Sequence, residues 1–315
     1  MTKRLFIFVF LLHLMAPAFP QSTRLNATLP AAQAPEAVSE NRPDEIRRQF
    51  KIQPLTLTGE KLTYEVKFSR FLINASVGEV TFEFIGRTPT PLPESLIQDL
   101  NAEFTPGAEE PLIHLRASAF SKGILTKLFG ITARDRFESL VNADDFRARL
   151  SFRRIQEGKR NYAQAEIFDH KEPAAVIRQT HTDFTKENAV TRKEAKPDWL
   201  TLDLLGAFYF IRFLELKTGE TLTIPVNDEA QQYRFDTYIG AREKISTSLG
   251  KFNAVRVEPQ LFGNGRFFGR SGEMILWLTD DERRLPVRLM AKTSSGTVTA
   301  TLIKVSLQNA QARKK

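Results

Sequence analysis

From Leu55 onward apolar and polar residues alternate along most of the chain. Leu62, Tyr64, Val66 and Phe68 interleave with Lys61, Thr63, Glu65 and Lys67, which is the period of a half-buried strand. The pattern repeats over 77–86, where Val77, Glu79, Thr81 and Glu83 oppose Gly78, Val80, Phe82 and Phe84, and the stretch Leu72 to Ser76 turns the chain between the two. Further strands are predicted at 112–118, 134–141, 147–155, 162–168, 221–226, 232–239, 242–246, 254–259, 272–279, 286–292 and 296–307, with weaker signals at 175–179 and 182–185. Glu157-Gly158-Lys159 reads as a hairpin turn. Pro89, Pro91, Pro93, Pro106 and Pro111 mark 87–111 as a loop insertion. On the strand over 272–279 both alternating sets are apolar, so it is expected to be covered on both sides. Trp277 is expected on its apolar side, with Asp280 to Arg284 turning the chain before Pro286.

One segment breaks this rhythm. After Pro197 and Asp198 comes WLTLDLLGAFYFIRFLELK, whose length and composition predict a helix over 199–213 with Asp198 as its N-cap. Trp199, Leu202, Leu205 and Phe208 fall on one side, and Leu204, Phe210, Ile211 and Leu214 around the rest. A helix apolar all round is a buried one. The fold class is therefore mainly β: a large curved antiparallel sheet, or an open barrel or sandwich, with one buried helix near 199–213. Its edges must be closed or covered.

The N-terminus carries a different signal. Lys3 and Arg4 precede the apolar run Leu5 to Met15, and Ala16-Pro17-Ala18 supplies small residues at a cleavage site. Residues 1–18 thus read as a signal peptide, which predicts a periplasmic or secreted protein with no transmembrane span in the mature chain. Residues 19–54, rich in Pro, Ala, Ser and Gln, read as a disordered linker. The β-rich body spans 55–308 as one domain, and 309–315 is a polar tail.

Composition narrows the chemistry. The chain of 315 residues has 45 Lys+Arg against 37 Asp+Glu, a formal charge of +8 with both signs spread throughout, which does not point to nucleic acid. It has no cysteine, which excludes disulfides, thiolate-held metals and a thiol nucleophile. No phosphate-binding loop, dinucleotide fingerprint, G-x-S-x-G elbow or H-E-x-x-H helix occurs, so neither a cofactor nor a catalytic residue is assigned. His114, on a strand, reads as a structural histidine. Asp280-Asp281-Glu282 is dense enough to suggest Ca²⁺, but neighbours that point alternately make a poor cage, and the cluster reads as a turn.

Two binding surfaces are candidates. Twenty-five Phe against 5 Tyr and 2 Trp supply apolar area without polar handles, suited to a Phe-rich core or to an apolar cavity for acyl chains. Trp199, Phe208, Ile211, Phe267 and Phe268 are the candidate ligand-binding residues, the last two within the glycine-rich stretch 263–269. Arg147, Arg149 and Arg153 share one face of their strand and are candidates for binding anions.

The pair YEVKFSRFLINASVGEVTFEF, the block over 198–212, and above all EKISTSLGKFNAVRVEP followed by GEMILWLTDDERRLPVRLMAKTSSGTVTATL resemble the domain of unknown function 3108 family. The resemblance covers about 60–305 and implies an exported bacterial β protein of unassigned activity, with no catalytic residue to carry over. The expected function is non-enzymatic binding, in the cell envelope, of an apolar or amphipathic ligand such as a lipid. The alternatives are a structural module that recruits another envelope protein, and a hydrolase of an envelope polymer using acids such as Asp280 or Glu273.

Overall fold

A computed structural model describes residues 54–88, 104, 110–122, 132–170, 175–186, 189–196, 201–261, 272–294 and 296–307. The expected signal peptide over 1–18, the expected linker up to residue 53, most of the proline-rich segment 87–111 and residues 308–315 lie outside these residues.

The chain forms one antiparallel sheet of fourteen strands. A 3-10 turn at Pro54–Leu57 leads into β1 (Glu60–Arg70), β2 (Ile73–Arg87), β3 (Leu112–Ser121), β4 (Arg134–Asn142), β5 (Ala148–Glu157), β6 (Arg160–Asp169), β7 (Val176–Asp183) and β8 (Ala189–Ala195). After α1 (Leu204–Phe210) and a short 3-10 turn come β9 (Thr221–Asp228), β10 (Gln231–Thr247), β11 (Gly250–Pro259), β12 (Gly272–Thr279), β13 (Pro286–Thr293) and β14 (Gly296–Leu307). The spatial order is β8-β7-β6-β5-β4-β3-β2-β1-β14-β13-β12-β11-β10-β9. Two meanders thus meet where β1 pairs with β14, and the connection carrying α1 crosses from one free edge to the other. The sheet is not closed by hydrogen-bonded strands. Edge strand β8 is exposed and carries Arg192, Lys193 and Glu194, charges that discourage further pairing.

Period-two alternation decides the inner face. Leu62, Tyr64, Val66, Phe82, Phe84, Leu115, Leu276, Leu289 and Ala300 belong to one large core. α1 lies on this concave face, packed on β3, β4 and β9. A second, smaller cluster around Leu140, Leu150, Phe152 and Ala165 sits on the outer face, with Phe104 of the insertion packed on it.

The structure corrects several expectations. The helix is half the expected length and starts at Asp203, whose side chain accepts from Gly206 N at 2.8 Å. Thr201 and Leu202 are extended instead: Thr201 O accepts from Ala148 N and Leu202 bridges Val226, so this strap ties β5 to the edge strand β9. Asp198 lies outside the described residues. The segments 232–239 and 242–246 are one strand bent by a register shift between Ile239 and Arg242. Past that shift β10 touches β13 and β14.

Trp277 is buried, and on the face opposite Leu276. Arg256 and Arg288 flank it on the neighbouring strands, and its indole N–H donates to Glu243 at 3.3 Å. Arg288 in turn donates to Ser246 O at 2.8 Å. The β10–β11 tip therefore covers this face, which explains why both sides of β12 are apolar in sequence. Asp280 to Leu285 form the turn before Pro286, with Asp281 accepting from Thr279 and Arg283.

Candidate functional site

α1 does not fill the concavity it lies in. Between it and β9–β13 is a cavity of about 110 Å³. Phe208 and Ile211 are both on its wall, with Phe82, Phe235, Met274 and Leu289 opposite. Phe208 stacks on Phe82 with ring centroids 4.3 Å apart, and this fixes the side of α1 that faces the cavity. Among the described residues Thr237 is the only polar one of the wall, and its hydroxyl donates to Phe235 O at 3.2 Å. Leu204, Phe208 and Met274 are half-buried, so the wall reaches the surface at the helix and at β12. Of the residues singled out in the sequence, Phe208 and Ile211 are brought together here. Trp199, Phe267 and Phe268 lie outside the described residues.

The other half of the concave face is polar. On β4 to β7 the inward positions include Ser139, Ser151, Arg153, Tyr162, Gln164, Glu166, Gln179 and His181, with Phe137, Val141, Ile155, Phe168 and Ile177 among them. The β9–β10 turn docks onto them. Arg153 pairs with Asp228 and approaches Glu229 at 3.9 Å, while Glu166 accepts from Asn227 Nδ2 at 3.1 Å and from Ala230 N. Gln164 Nε2 and Asn227 Oδ1 find no partner in this cluster. Burial pushes the Asp228 carboxyl up to about 7 despite Arg153, and burial likewise raises Glu166. Burial opposes the charge of Arg153, but Asp228 first and then Tyr162, Glu166 and Glu229 outweigh it and raise its pKa. Farther along the same face Glu157 rises to about 9, through burial first and then the adjoining Asp135.

The three arginines read as an anion strip each meet a carboxylate. Arg147 Nε lies 2.7 Å from Asp145 and Arg149 Nε 2.6 Å from Glu110, with Arg149 Nη1 also donating to Phe168 O. Arg153 is buried on the inner face against Asp228. The candidate hydrolytic acids stand at opposite ends of β12, Glu273 on Arg256 at 3.0 Å and Asp280 on Arg242 at 2.6 Å. His114 is buried on the outer face, bonded to Glu138. Among the described residues no group of three or more His, Asp or Glu side chains is placed to hold a metal ion.

Nothing in the residue pattern announces the polar half. Tyr162, Gln164 and Glu166 alternate with Ala163, Ala165 and Ile167, which reads as polar-out and apolar-in. The structure reverses it, because the outer face here is covered by the second apolar cluster. Periodicity separates two faces but does not say which one is concave.

A wide antiparallel sheet wrapped round an apolar cavity, with one helix on its concave face, defines an open β-barrel-like protein. The chain belongs to the family described as protein of unknown function (DUF3108), which matches residues 99–303. No curated protein matches it. Among solved structures it is similar to a β-barrel-like protein of a domain of unknown function, DUF1849, from Brucella abortus, at 8% identity and a TM-score of 0.49, covering 80% of this chain and 99% of that one. It is also similar to a protein from Bacteroides fragilis described as exported and of YmcC-like fold, at 7% identity and a TM-score of 0.31, covering 79% of this chain and 96% of that one. No helix among the described residues is long and apolar enough to cross a membrane.

Proposed function

We propose that this protein is an exported envelope protein that binds the apolar part of an amphipathic ligand, such as a lipid, in the cavity beside α1. The observation that carries the reading is the wall itself. Among the described residues all of the wall but Thr237 is apolar, and Thr237 has its hydroxyl bonded internally. Such a space offers water no partners, and an apolar cavity of about 150 Å³ stays dry yet takes up a benzene ring. A volume of about 110 Å³ suits a few methylenes, so the end of an acyl chain would enter and a polar headgroup would stay outside. Leader-like residues 1–18 support export.

The test is uptake of a fluorescent fatty acid by the purified mature protein. Saturable binding is expected, and Phe208→Asp or Ile211→Asp should abolish it while circular dichroism shows the fold retained. Because a buried carboxylate can unfold a protein, Ala207→Leu serves as a second variant that narrows the cavity while keeping it apolar. A native protein that takes up no probe, or an Ala207→Leu variant that binds it undiminished, would refute the reading.

A further inference from the structure

The β1–β2 hairpin ends in a feature that core packing does not explain. Arg70 pairs with Ile73, leaving Phe71 and Leu72 as a two-residue loop. Phe71 is 95% exposed, Leu72 103% and Ile73 48%. Scattered single exposed apolar residues are ordinary, but three in a row on a projecting tip are not. Phe71 also has a φ of 49°, a left-handed backbone that favours glycine or asparagine and disfavours a bulky side chain. The chain thus accepts both strain and exposure to hold an aromatic ring at its tip, the kind of local cost that marks a functional position.

The surroundings are cationic. Residues 66–78 contain Arg70 and Lys67 and no Asp or Glu, Lys67 pairing with Glu65 at 3.2 Å. The adjoining β13–β14 turn adds Lys292, across from Glu273, which is itself held by Arg256 at 3.0 Å. Arg70 lies over the Phe71 ring at 5.4 Å. Phe120, 41% exposed, stands on β3 opposite Glu79, at the same end of the sheet. We infer that this tip docks the protein on an anionic lipid bilayer, with Phe71 and Leu72 entering the interface and Arg70 and Lys292 meeting headgroup phosphates. A ring at the interface, apolar area below it and cations beside it are the combination that bilayer surfaces select. The tip also shares an end with the cavity: Phe68, three residues before Phe71, stands in one cross-strand row with Val298, Ala291 and Met274 of the cavity wall. The inference stands apart from ligand binding, since vesicle docking requires no ligand and probe uptake requires no vesicle.

The experiment is flotation of the mature protein with vesicles of phosphatidylethanolamine and phosphatidylglycerol, against vesicles of phosphatidylcholine alone. Flotation is expected with the anionic vesicles, weakening as salt is added. In a Phe71→Trp variant, emission should shift to the blue and be quenched by lipids brominated in their acyl chains. Phe71→Gly combined with Leu72→Ser should lower vesicle binding roughly tenfold or more, from the apolar area removed. The thermal midpoint of this variant should not fall, because Phe71→Gly relieves the left-handed backbone. A wild-type protein that does not float, or a variant that floats as well as wild type, overturns the inference. So does a variant that loses stability or a tip-dependent dimer seen by sedimentation, either of which would mean that the tip is covered by protein.

Discussion

Arg212 shows what a single side chain does in this fold. It is fully buried, yet it carries a charge that must be met. Its Nη1 and Nη2 reach the two Glu60 oxygens at 2.6 and 3.1 Å, and Nη2 and Nε also donate to the carbonyls of Arg283 and Arg284. One guanidinium thus joins the end of the helical segment, the start of β1 and the β12–β13 turn. From sequence, its place near the C-terminal end of the expected helix suggests a cation meeting the helix dipole or pairing with a carboxylate, without saying which one. The partner is 152 residues away, a separation no local pattern reports. Removing one member of such a pair leaves the other charged and buried. Arg212→Met is therefore expected to cost about 3–5 kcal/mol in urea unfolding. A double-mutant cycle with Glu60→Gln should give strong coupling. Additive losses would mean the two side chains act separately.

At the scale of the element, α1 is where the sequence is most misleading. The apolar run over 199–213 has the length of one helix, but Asp203 stands inside it, and a short carboxylate competes for the backbone N–H groups of the next turn. It accepts from Gly206 N at 2.8 Å and from Ser139 Oγ at 2.9 Å, so the helix starts there and the preceding residues extend along β9. Gly206 permits the close approach, since a Cβ there would lie 2.6 Å from Asp203 Oδ1. The strands were legible because their period is local and unbroken. The cap was visible as a residue type but hidden by the hydrophobicity around it. Burial raises the Asp203 carboxyl to about 6. Asp203→Ala is expected to lose about 1–2 kcal/mol, the value of a helix cap, while Asp203→Asn, which keeps the acceptor oxygen, should lose much less. Equal losses in the two variants, measured by urea unfolding, would show that the oxygen is not what holds the helix start.

At the scale of the whole molecule, the concave face is divided. The half formed by β1–β3 and β9–β14 is apolar and holds the helix and cavity, while β4–β7 turn acids and amides inward and meet the β9–β10 turn through them. This division gives the fold a pH dependence whose sign can be worked out. Glu157 is raised from an ordinary carboxylate value to about 9, by burial and then by Asp135, so the folded protein keeps that proton when the unfolded chain has lost it. Where the folded state binds more protons, stability falls as pH rises. The stabilisation is complete below the unfolded pKa and is lost as pH climbs through the folded one. Asp203 and Asp228 act in the same sense but finish near 6 and 7. His170 and His181, lowered by burial, act in the opposite sense at or below the ordinary histidine value. Glu166 and Asp135, also raised by burial, act in the same sense as Glu157, whose folded value of about 9 bounds the interval between about pH 7 and pH 9. The urea midpoint is expected to drop across that interval, and Glu157→Gln, which needs no proton to stay neutral, should flatten the drop. If the variant keeps the wild-type slope, Glu157 ionises freely in the folded protein and the inward acids of β4 and β5 do not share a proton.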